Sequence, residues 1–154
     1  MKKNLLLPLL LLITAVIIPS CSDDSSISLP TPPEIIKYKG EVLTDKNFTL
    51  NNATCEITLD ESTGTLTLKM FDVKFAEEMP NKLTFSISGI NYSTTNNKTI
   101  FSGENINPTM GETPIPMPGY TFSNITGSIE NSKLNFDVTH TKGKFIFNGE
   151  EIIE

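Results

Sequence analysis

From residue 34 to residue 154, apolar and polar side chains alternate in one short run after another, and this period of two most constrains how the chain can fold. Successive side chains of an extended strand point to opposite faces, so such alternation describes a strand with one face buried and one in water. The clearest run is Thr65-Leu66-Thr67-Leu68-Lys69-Met70. Its apolar parity then flips to Phe71, Val73 and Phe75, which one inserted residue would explain. A β-bulge near Met70-Phe71 is expected, and a bulge bends a strand.

Seven further strands are expected at residues 36–43, 54–60, 83–92, 98–102, 120–130, 133–139 and 144–148, with a break at Ser88-Gly89. Turn signals separate many of them: Glu61-Ser62-Thr63-Gly64, Asn96-Asn97, Asn131-Ser132 and Thr141-Lys142-Gly143. No segment longer than a few residues has helical spacing, although residues 74–79 could close a single turn. About eight strands in one modest domain give an all-β fold, an antiparallel barrel or sandwich. Residues 106–119 interrupt the series with Pro108, Pro114, Pro116 and Pro118. Proline lacks a ladder donor, so this stretch is either a binding loop or lid, or a stiff crossover between two halves of the fold.

The N-terminus has a different character. Lys2-Lys3 precedes an apolar stretch at residues 5–18, then Pro19-Ser20 and Cys21. A basic start, a short apolar core and a small residue before the cleavage point are the marks of a secretory signal. With cysteine next, residues 1–20 look like a bacterial lipoprotein signal peptide, Ile18-Pro19-Ser20-Cys21 as its lipobox and Cys21 as the lipidated residue. The apolar run is shorter than the roughly 20 residues needed to span a bilayer and contains Pro8, which excludes a membrane-spanning anchor. Residues 21–34 read as the lipidated N-terminus and a Pro/Ser-rich flexible tether, leaving residues 35–154 as the folded domain. The Ser22-Asp23-Asp24 tract after Cys21 resembles the acidic signal that sends lipoproteins of the Bacteroidetes to the outer face of the outer membrane. The expected location is therefore the outer membrane, lipid-anchored and exposed at the cell surface, with a periplasm-facing anchor as the alternative.

The strand patterns themselves support a resemblance. Tyr38-x-Gly40, the bulged strand from Thr65, the pair Ile125-Thr126-Gly127-Ser128-Ile129 and Leu134-Asn135-Phe136-Asp137-Val138, and the closing Phe145-Ile146-Phe147-Asn148-Gly149 are similar to the calycin-like β-barrel lipoproteins of the Bacteroidetes. The resemblance implies a single antiparallel calycin-type, lipocalin-like β-barrel and a role in ligand binding. The glycine-tryptophan signature of lipocalins is absent, because the chain has no tryptophan.

Composition narrows the function. Formal charge is −6, and loss of Lys2 and Lys3 with residues 1–20 makes it about −8. Every cation is a lysine, so the bidentate arginine fork for phosphate or carboxylate is missing. Nucleic acid is excluded as a partner, since its recognition wants a basic face. His140 is the only histidine, and Asp137 lies an odd number of residues away, on the opposite face of a strand. Flanked by Thr139, Thr141 and Lys142, His140 is expected at a strand end facing water. One histidine and Cys55 make no zinc set, so no metal or other cofactor is expected. Cys55 alternates with Ile57 and Leu59 and reads as a small buried apolar residue; with Cys21 acylated it has no disulfide partner. Asn-x-Ser/Thr triplets at Asn47, Asn52, Asn91, Asn97 and Asn124 reflect the abundance of Asn and Thr.

No catalytic residues are expected, and two non-enzymatic roles remain. In one, the barrel is a cup whose inward Leu66, Leu68, Phe85, Ile87, Phe136 and Val138 line a cavity for a small, largely apolar ligand. In the other, the barrel is filled and its surface or proline-rich loop contacts a protein or glycan. An eight-stranded barrel has room for either arrangement.

Overall fold

A computed structural model describes residues 33–111 and 114–153; the signal peptide, Cys21 and nearly all of the tether lie outside the described residues. The described residues form ten strands: β1 Ile35–Thr44, β2 Thr49–Asp60, β3 Thr65–Val73, β4 Leu83–Thr95, β5 Lys98–Gly103, β6 Thr109–Met110, β7 Ile115–Pro116, β8 Phe122–Glu130, β9 Lys133–His140 and β10 Gly143–Glu151. Eight of them form a ring in which each pairs antiparallel with the next, from β1 through β5, then β8 to β10. The ring shuts where β10 pairs with β1, Val42 opposite Phe147, and the β3–β4 ladder leaves no gap on the other side. Closure removes the exposed strand edges that would otherwise invite aggregation. The described residues therefore form an all-β, closed, eight-stranded antiparallel barrel.

Local chemistry explains where the wall bends and turns. The expected bulge is present, between Met70 and Val73, with Asp72 at φ +51°. It keeps Met70 and Val73 both inward while half-buried Phe71 stays outside, under the Lys69 ammonium at 4.9 Å. The Ser88-Gly89 break is a second bulge, opposite Thr67, with Gly89 at φ +78°. A third lies at Asn52 (φ +61°) and lets β2 begin at Thr49, five residues before the alternation becomes clear. Asn96-Asn97 and Asn131-Ser132 have positive φ throughout, the type I′ geometry that suits two-residue hairpins.

The proline-rich segment is a crossover that completes the wall. β5 ends at Gly103, and β6 takes over beside β4, Met110 opposite Phe85. β7 pairs only with β6 among the described residues, which is where a strand proline such as Pro116 is tolerated. Ile106 bridges to Phe122, and the Met117 N–H donates to the Pro108 carbonyl at 2.8 Å, leaving Met117 buried in the core.

Buried side chains from all eight barrel strands cluster in the interior. Ile57, Leu66 and Leu134 pack toward the end holding the β4–β5 and β8–β9 turns. Toward the other end an aromatic stack takes over, with Phe75 and Phe145 centroids 4.9 Å apart and Phe136 and Phe147 stacked at 5.2 Å. Phe85 and Phe122 meet edge-on at 5.8 Å, a preferred aromatic geometry.

A barrel-end cleft around His140

The six side chains expected to line a ligand cavity are all inward, yet none is more than 2% exposed. A water-sized hollow beside them would have left exposed surface on their atoms. Aromatic volume takes up much of the space around them, because Phe75, Phe85, Phe122, Phe136, Phe145 and Phe147 all turn inward.

His140 also departs from expectation. It does end a strand, but its ring is inward and only 8% exposed. The reason is parity: Leu134, Phe136, Val138 and His140 share one face of β9, and exposed Asp137 takes the other, as its spacing predicted. The polar neighbours in sequence misled because they occupy the following turn. The imidazole lies against the rings of Phe75, Tyr120, Phe122 and Phe145, with centroids 5.6 to 6.0 Å away.

Three short segments converge on this ring. The β1–β2 turn is tied to β10 by Asp45, whose N–H donates to the Lys144 carbonyl at 3.1 Å and whose Oδ2 accepts the Lys144 N–H at 3.0 Å. In the β9–β10 turn the Lys142 N–H donates to His140 Nδ1 at 3.2 Å, and the Thr141 hydroxyl donates to the Gly119 carbonyl at 2.9 Å. After β3 the chain closes a single turn, Met79 N–H to Ala76 carbonyl, where one turn was expected. Together they enclose a cleft of about 130 Å³ lined by Thr44, Asp45, Lys46, Phe75, Ala76, Met79, Tyr120, His140, Lys142 and Lys144.

No protein-family model matches the chain, and no curated protein or solved structure matches it.

The electrostatics of the cleft follow from its walls. Burial is the main cause holding His140 below the ordinary histidine pKa; the nearby Asp45 carboxylate opposes this, and the Lys142 and Lys46 ammoniums reinforce it. With Nδ1 accepting from the Lys142 amide, the proton of the neutral ring resides on Nε2. The Lys142 ammonium stands 4.3 Å from the centre of the Tyr120 ring, a cation–π contact.

Elsewhere the chemistry is quiet. Cys55 is fully buried, and burial pushes its thiol well above the usual range, so it packs as the apolar residue it was expected to be. Burial, aided by the Glu151 carboxylate, raises the Tyr38 phenol to about 12. Among the described residues no group of three His, Cys, Asp or Glu side chains could hold a metal ion. The outer wall carries a broad open depression of about 820 Å³ around the paired Gly40 and Gly149, with Asn51, Asn52, Asn135 and Asn148 among its lining residues. Sequence reasoning missed both concavities, since each gathers residues from strands and turns far apart in the chain.

Proposed function

We propose that this protein is an outer-membrane lipoprotein, held through acylated Cys21 and displayed at the cell surface, whose barrel works as a surface interaction module. One observation favours a filled barrel over a cup: the six inward side chains that would line a cavity are each no more than 2% exposed. Eight-stranded barrels either hold a ligand or are filled by their own residues, and this burial supports the second kind. Contact with a protein or glycan then falls to the outside, where the Asn-rich depression offers amide donors and acceptors from three strands, β2, β9 and β10. The resemblance to calycin-like lipoproteins supports the anchored barrel, while the core favours a partner outside it.

Two measurements test the reading. Cys21→Ala should move the protein from the outer-membrane fraction to the soluble fraction; retention in the membrane would overturn the lipid anchor. A fluorescent long-chain fatty acid should show no saturable one-to-one binding to the barrel. Stoichiometric binding of that probe would restore the cup.

A further inference from the structure

The His140 cleft lies outside what a surface interaction module requires, and its construction is selective. Its walls include three rings and a thioether: Phe75, Tyr120, His140 and Met79. Phe75 and Tyr120 each hold a centroid 5.6 Å from the imidazole, tilted at 45° and 35°. Such walls favour another ring, through offset or edge contacts and sulfur–aromatic contact. The volume of about 130 Å³ sets the size, since a cavity of roughly 150 Å³ accepts benzene.

The rim sets the charge. Lys46, Lys142 and Lys144 line it against a single carboxylate, Asp45, whose Oδ2 already accepts a backbone N–H. Among the described residues none of these three ammoniums has a carboxylate within ion-pairing distance. Glu77 and Glu78, on the adjacent turn, are exposed and do not line the cleft. A cationic rim on a chain of formal charge −6 is a local inversion of sign. Lysine ammoniums are compact point charges suited to a lone carboxylate.

We propose that the barrel-end cleft binds a small aromatic carboxylate, one ring seated among Phe75, Met79, Tyr120 and His140 and one carboxylate at the lysine rim.

Because His140 is the only histidine, its imidazole resonances report on the cleft without ambiguity. Sodium benzoate titrated into the purified full-length chain should shift them saturably. Benzyl alcohol, with the ring but no charge, and acetate, with the charge but no ring, should each bind at least about tenfold more weakly. Lys46→Gln with Lys142→Gln should weaken benzoate by about tenfold, as expected for two exposed charges, with an unchanged circular dichroism spectrum. An absent or unsaturable benzoate shift would overturn the proposal. So would equal binding of benzyl alcohol, or unchanged benzoate affinity in the folded double variant. None of these outcomes bears on the lipid anchor or on the filled interior, which the fractionation and fatty-acid tests address separately.

Discussion

His140 is held neutral among rings while its unfolded counterpart titrates near pH 6.5, and this difference couples acid to stability. Below that value the unfolded chain takes up a proton that the native cleft resists. Unfolded molecules then bind more protons, so stability falls as pH drops through this window and is retained above it. The urea midpoint should decline between about pH 7.5 and 5. His140→Asn, which keeps an acceptor for the Lys142 amide, should decline less; an equal slope in the variant would place the effect on other groups. Gly40 makes a different demand. A Cβ there would overlap the Asn148 carbonyl oxygen and lie 2.5 Å from Gly149 Cα, both backbone. Backbone has little room to yield, so Gly40→Ala should cost about 3 kcal/mol or more, at the upper end of overpacking losses, in chemical denaturation. The alternation already placed Gly40 within a strand, but only the β1–β10 pairing shows what it meets.

At the scale of elements, turn chemistry was the most legible feature. Asn96-Asn97 and Asn131-Ser132 close hairpins where expected, because asparagine tolerates left-handed backbone better than most residues. Ser132, at φ +60°, lacks that tolerance. Ser132→Gly should raise stability by about 0.5 kcal/mol, relieved strain outweighing the added chain entropy, and thermal melting should show it. A lower melting temperature would mean that the serine side chain stabilises the turn. The strands β6 and β7 were illegible for a clear reason. Each has two residues, one pair includes Pro116, and neither is long enough to show alternation. They are strands only because β4 outruns β5 and offers Phe85 and Ser86 as partners. The same dependence hides the early start of β2, where Asn52 interrupts the period and the ladder to β1 carries the register past it.

For the molecule as a whole, a core without a disulfide among the described residues must hold the barrel by packing and closure. Phe147 sits at the centre of that arrangement, fully buried and stacked on Phe136. Phe147→Ala should cost about 3–5 kcal/mol in urea denaturation, the range for aromatic truncation in a close-packed core. A loss below about 1 kcal/mol would show the interior to be loosely packed and would weaken the case for a filled barrel. The surface ion pairs contribute little by comparison: Lys98–Glu130 and Lys133–Glu150 join directly opposed residues but are largely exposed. The sequence alone determined that strands form, roughly where they start and stop, where the long strand bulges, and that Cys55 packs inside. Those properties depend on neighbours one to four residues apart, which the alternation and turn residues display directly. How closely the inward side chains pack, and which way His140 faces, was decided by tertiary structure. Both depend on how side chains from several strands share one volume, and period two states that a residue faces inward without stating what already fills the space it enters.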